Sequence, residues 1–212
     1  MQKFDFKFEA AVHTLEGHCG QLAKVVVDPK SWQLTSLIVE DGLLFKRTAV
    51  FPIDDVEDTI SLTIHLKILD AQLKNYPEFH ETTIEKGAPT WQSAKTAGEA
   101  AYFGLPSANI PNMTVVREKA RVGVDKDALI LDNKTKIKHQ DGQLGHLSHV
   151  IVDPNDFLIT NLVSSHGILL PTYHLIPIHL VERLGESAIQ IAPNREEAET
   201  LPEYYHSSPA KE

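Results

Sequence analysis

LAKVVVDPKSWQLTSLIVEDG (residues 22–42) is met again, 125 positions on, as LSHVIVDPNDFLITNLVSSHG (residues 147–167). Each stretch holds two β-branched runs separated by Asp-Pro, which predicts a β-hairpin rather than a helix. Asp28-Pro29 and Asp153-Pro154 suit the turn: the carboxylate can accept bonds from backbone amides just ahead, and Pro fixes φ. Gly42 and Gly167 close the second strand of each hairpin and supply conformational freedom there.

Working outward, the same shift without a gap maps Gly17 to Gly142, Gly20 to Gly145, Pro52 to Pro177, Ile53 to Ile178 and Val56 to Val181. Roughly a third of positions 17–66 are identical in the two copies, a clear internal repeat. LKNYPEF (73–79) meets AETLPEY (198–204) at the same offset, so the unit runs from about 12 to 79 and from about 137 to 204. Pro52 and Pro177 cannot donate to a ladder and mark a strand end, an edge or a bulge. Short strands bounded by turn signals argue a small antiparallel barrel or sandwich. Positions 25 and 27 share a parity that Leu22 breaks, so a bulge near residue 23 is expected, of the kind that lets a small sheet turn a corner. KILDAQLKNYPEF and APNREEAETLPEY read as a strand end leading into a short helix that stops before its Pro.

The expected architecture is mainly β: two small antiparallel barrels, each followed by a short helix. Residues 1–79 form the first, 80–112 a Pro-, Gly- and Ala-rich linker, and 113–212 the second with its lead-in strand and C-terminal tail. Trp91, Tyr102 and Phe103 could dock the linker onto a barrel. Units this small bury little surface, so packing of one barrel on the other, or homo-oligomerisation, is a natural supplement.

The ordered set Gly17, Gly20, Val25 to Pro29, Leu37 to Val39, Gly42, Pro52, Ile53 and Val56, repeated as a set 125 positions on, resembles the PRC-barrel family. That fold is similar to the cytoplasmic barrel of the photosynthetic reaction-centre H subunit and to the C-terminal barrel of a ribosome-maturation factor. The resemblance covers both copies and implies a non-catalytic barrel that binds other proteins or assists assembly, without naming the partner. The H subunit's N-terminal membrane helix has no counterpart here, and the maturation factor carries a different N-terminal barrel where this chain has a second copy.

Composition narrows the classes further. The 212 residues are 42% apolar and 23% charged, which suits a folded domain with a core. With 20 Lys+Arg against 29 Asp+Glu the net charge is −9, the wrong sign for neutralising phosphates, so direct nucleic-acid binding is disfavoured. The single Cys19 excludes an internal disulfide and suits a reducing, cytoplasmic compartment. No signal peptide and no membrane-spanning run is present.

Candidate chemistry is sparse. The chain lacks Gly-x-Ser-x-Gly, phosphate-loop and His-Glu-x-x-His patterns, so no catalytic residue and no cofactor is assigned. Eleven histidines crowd toward the second copy, and a metal site built from His146, His149, His174 and His179 is the alternative reading. Spacing opposes it: His146 and His149 fall on opposite faces of a strand unless a bulge intervenes, and Pro177 separates His174 from His179. Cys19 reads as a small core hydrophobe, and the acidic run Asp54-Asp55, Glu57-Asp58 as a solvated face. Trp32 and Phe157 stand at the two hairpin tips, as partner contacts or as caps folded onto their own barrels. Leu43 to Phe45 and Ile168 to Leu170 are apolar in both copies and read as core. The expected function is a protein-binding or scaffold module, with ribosome or photosynthetic-complex assembly as further alternatives.

Overall fold

A computed structural model describes residues 3–41, 48–86, 116–167 and 170–205. The chain forms two compact units, residues 1–79 with 123–212, and residues 80–122. In the larger unit the first copy contributes β1 (Phe4–Lys7), β2 (Ala11–His13), β3 (His18–Val27), β4 (Leu34–Glu40), β5 (Thr48–Pro52), β6 (Val56–Ile60) and β7 (Thr63–Leu66). The smaller unit is an antiparallel ribbon of β8 (His80–Lys86) and β9 (Val116–Val122), running from His80 opposite Val122 to Lys86 opposite Val116. The second copy adds β10 (Leu129–Asp132), β11 (Lys136–His139), β12 (Gly142–Val152), β13 (Ile159–His166), β14 (Thr172–Pro177), β15 (Val181–Arg183), β16 (Ala188–Ile191) and the short α1 (Arg195–Glu199). The element corresponding to α1 in the first copy is a 3-10 turn, Asp70–Asn75.

Both copies lay their strands down in one order: β5-β4-β3-β2-β7-β6 and β14-β13-β12-β11-β16-β15. Each sheet curls into a half-barrel. The all-antiparallel expectation fails at one ladder per copy, because β2–β7 and β11–β16 run parallel. The chain between β2 and β7 is long enough to cross the sheet, so geometry permits the parallel pairing. The bulge expected near residue 23 is present. The β3–β4 register steps from Leu22 to Lys24 and skips Ala23, and the β12–β13 register steps from Leu147 to His149 and skips Ser148. Pro52 and Pro177 end β5 and β14, where no further donor is required.

The leading strands are exchanged. β10, which precedes the second copy, pairs with β3 of the first, Leu129 opposite Val27; β1 pairs with β12 of the second, Phe4 opposite Val152. The two registers coincide under the 125-residue shift. Each exchanged strand also reaches back toward its own copy: the Asp5 amide donates to Thr59 Oγ1 at 2.8 Å, and the Ile130 amide to Glu186 Oε1 at 3.2 Å. Gln33 and Leu158, equivalent positions, form a bridge across the join. It is flanked by Leu34 N–H to Phe157 O at 2.9 Å and Ile159 N–H to Trp32 O at 3.1 Å. Phe4, Phe6, Val12, Leu37, Ile137, Leu147 and Leu162 therefore belong to one continuous core serving both copies. The exchanged strands cross the division expected between residues 1–79 and 113–212, so the two half-barrel sheets each take a strand from the other copy. The strand expected to lead into the second barrel pairs with β8, whose residues were read as the start of the 80–112 linker.

Local reading of the turns holds. Asp28 Oδ1 accepts the Lys30 amide at 2.9 Å, and Asp153 Oδ1 accepts the Asn155 amide at 2.9 Å. At Gly20 a Cβ would lie 2.6 Å from Glu40 O, and at Gly145 it would lie 2.3 Å from Ser165 O. Close backbone approach explains the shared glycine, and Gly20 also has φ +155. Gly42 and the apolar Leu43 to Phe45 lie outside the described residues, as do Ile168, Leu169, Trp91, Tyr102 and Phe103. Leu170 is 89% exposed, against the expectation of core.

Candidate functional site

The two copies finish the outer face of the sheet differently. In the first copy Val26, Ile38 and Val50 are covered by Phe79 and by Ile130 from the exchanged β10, forming a buried apolar cluster. Lys24 lies over the Phe79 ring, 5.6 Å from its centroid, and pairs with Asp132 at 3.9 Å. The equivalent positions in the second copy are occupied by Tyr204 for Phe79, Asp5 for Ile130, His149 for Lys24 and Lys7 for Asp132.

There the covering is polar. The His149 ring, whose side chain is 4% exposed, sits with Nδ1 2.8 Å from Asp5 Oδ1. The Tyr204 hydroxyl donates to Asp5 Oδ2 at 2.5 Å. Both carboxylate oxygens are thereby engaged, as a partly buried charge requires. The His149 ring meets Tyr204 edge-on at 5.2 Å and Tyr173 at 6.1 Å between centroids. Burial, then the hydrogen bond to Asp5 and its charge, pushes the Tyr204 phenol well above the usual tyrosine range, so it stays a proton donor. Backbone bonds hold the tyrosines in place: Tyr204 N–H donates to Tyr173 O at 2.8 Å, and Leu175 N–H to Pro202 O at 2.8 Å. Beside this network lies a cavity of about 260 Å³, lined by Lys7, Leu62, His149, Tyr173, Tyr204 and Tyr205. Leu62 comes from the first copy, so the cavity exists only where the copies interlock.

The four histidines proposed as ligands do not assemble. His146 is exposed and lies 3.4 Å from Gln143 Nε2, His149 is committed to Asp5, His174 Nδ1 is 3.4 Å from Leu201 O, and His179 is exposed on a 3-10 turn. A depression of about 340 Å³ is rimmed by His139, His166 and His174 with Asp141, Arg195 and Glu199. Three imidazoles do line up in the first copy. His18, His13 and His65 are cross-strand neighbours on β3, β2 and β7, with ring centroids 5.5 and 5.8 Å apart. Asp58 on β6 completes the row, its Oδ1 2.6 Å from His65 Nδ1. Pairing of β2 with β7 creates this row, and no sequence spacing announces it. Among the described residues no three His, Cys, Asp or Glu side chains converge to hold a metal ion. The Cys19 thiol, partly buried against the core, is pushed up to about 11 by burial and then by the charges of Asp70 and Asp41. It stays protonated at neutral pH and is a weak nucleophile there.

Trp32 and Phe157 make their contacts inside the molecule. Their carbonyls join the two copies, their side chains pack on the shared core, and Phe157 stacks on Phe4 at 6.5 Å. Both adopt positive φ, 61° and 57°, where the chain turns back across the join. Leu158 beside Phe157 is 39% exposed, and two further exposed leucines adjoin one another in the first copy. Leu15 is 61% and Leu69 45% exposed, and the Leu15 amide donates to Ile68 O at 3.0 Å, so the two are neighbours. Glu16 and Asp70 flank them, the Asp70 amide donating to Glu16 Oε2 at 2.7 Å. The second copy places Gln140 and Asn194 at these positions, and Asn194 caps α1. No described helix is long and apolar enough to cross a membrane. Comparison of the sequence with protein-family models and with curated proteins finds no match.

Proposed function

We propose that the chain is a tandem PRC-like barrel protein that works without catalysis, as a protein-binding or assembly module. The observation carrying this reading is the apolar pair Leu15 and Leu69, exposed in one copy and replaced by Gln140 and Asn194 in the other. Two neighbouring exposed leucines at positions that are polar in the twin copy support a contact surface there. Its rim of Glu16 and Asp70, on a chain of net charge −9, selects a partner that offers apolar side chains bordered by Lys or Arg. The outer edges of β5 and β14 are already covered, Val50 N–H donating to Pro77 O at 3.0 Å and Leu175 N–H to Pro202 O at 2.8 Å. Recognition there by strand addition is therefore disfavoured, and side-chain surfaces remain.

Mild in-cell crosslinking at native expression, followed by purification and mass spectrometry, tests the proposal. The unaltered chain is expected to bring down one complex in stoichiometric amount, and Leu15→Asp with Leu69→Asp to lose it. Recovery of self-crosslinks alone, or of the same complex from the double variant, overturns the reading. Ribosomal or photosynthetic components in that complex would assign the system served.

A further inference from the structure

We infer that the cavity between the copies binds a small aromatic carboxylate. Two polar groups without partners among the described residues carry the inference. At the equivalent place in the first copy the cation is matched internally, since Lys24 pairs with Asp132. In the second copy both residues of that pair are changed: His149 replaces Lys24 and Lys7 replaces Asp132. His149 and Tyr204 together engage both oxygens of Asp5. Among the described residues the half-buried Lys7 ammonium has no ion-pair partner, and the Tyr173 hydroxyl has no hydrogen-bond partner. A cation and a hydroxyl donor at the wall of one cavity suit an incoming carboxylate.

The remaining walls specify what bears that carboxylate. Leu62 and the rings of Tyr173, Tyr204 and Tyr205 offer apolar and aromatic surface, on which a flat ring packs better than a branched chain. The volume of about 260 Å³ is at the small end for ligand sites and suits a single-ring ligand. Benzoate is a ligand of that size. A cation would meet the Lys7 ammonium.

The test titrates benzoate and, separately, its neutral analogue benzamide into the full chain, following backbone amide NMR shifts. Benzoate should shift amides of Lys7, His149, Tyr173 and Tyr204 with millimolar or tighter affinity, and benzamide should bind about tenfold more weakly. Lys7→Gln should bring benzoate down to the level of benzamide, Lys7→Arg should keep it within about threefold, and Lys24→Gln in the first copy should change nothing. The inference fails if benzamide binds as tightly as benzoate, if Lys7→Gln leaves benzoate binding intact, or if no shift develops at this site. Should Lys7→Gln disturb folding, the benzoate–benzamide difference on the unaltered chain decides alone. Leu15 and Leu69 are not among the lining residues, so this outcome is separate from that of the docking surface.

Discussion

The outer face of the first copy is closed by Phe79 and Ile130, and that of the second by Tyr204 and Asp5, on superimposable strand registers. The difference teaches that the backbone tolerates either a dry apolar cover or a hydrogen-bonded polar one, provided each is complete. Ile130 needs only hydrocarbon around it, and Val26, Ile38 and Val50 supply it. Asp5 needs a partner at each carboxylate oxygen, and His149 with Tyr204 supplies one to each. The polar solution costs desolvation, and a cavity of about 260 Å³ lies beside it.

The comparison can be broken most severely at the exchanged strands. Phe6 and Leu131, equivalent residues of β1 and β10, are both fully buried in the shared core. Phe6→Ala should cost about 3–5 kcal/mol and Leu131→Ala about 2–5 kcal/mol. Each should shift a single urea transition that covers both copies; two separated transitions would show that the copies fold independently.

Next in size, Asp5→Ala strips the partner from His149 and Tyr204 and should lose about 3 kcal/mol in chemical denaturation. Carrying the first copy's set across, Asp5→Ile, Tyr204→Phe, His149→Lys and Lys7→Asp together, should recover most of that loss. A transplant no more stable than Asp5→Ala would mean that the two covers are not interchangeable. Smaller, and similar in size in the two copies, are Gly20→Ala and Gly145→Ala, each forcing a Cβ against a carbonyl oxygen at a cost of about 2 kcal/mol. A large inequality between them would separate the two bulged corners.

The mildest probe is alkaline pH. Tyr76, whose hydroxyl donates to Asp55 Oδ2 at 2.8 Å, is pushed up to about 12, by burial first and then by Asp55. A raised acid keeps its neutral form in the fold, so its contribution is present below the unfolded value near ~10 and is lost as pH climbs through about 12. Tyr204 is raised further, by burial first and then by Asp5. Tyr76→Phe and Tyr204→Phe should each flatten the alkaline fall of stability, and a slope unchanged in both variants would refute the assignment.

Much of this molecule was legible in one dimension. Asp-Pro turns, the prolines ending β5 and β14, the bulges at Ala23 and Ser148 and the helical turn before each final Pro, 3-10 in the first copy and α1 in the second, all rest on local rules: turn chemistry, missing donors and period-2 parity. The candidate site was legible only in part. His149 stood out among the histidines, but as a possible metal ligand, because nothing in its neighbourhood in the chain announces Asp5, 144 residues away, or Tyr204. The histidine row of the first copy escaped notice for the same reason, since His13 and His65 meet only through a parallel ladder.

The sequence by itself determined the strands, their faces and the duplication, because alternation and turn residues act within a few positions. Which copy each leading strand would join was decided by tertiary structure alone. FDFK and LILD present the same parity and the same register to either β3 or β12. Local pattern makes the two pairings equivalent; only the closing of one core over both copies distinguishes them, and with that choice come the buried His149–Asp5–Tyr204 network and the cavity beside it.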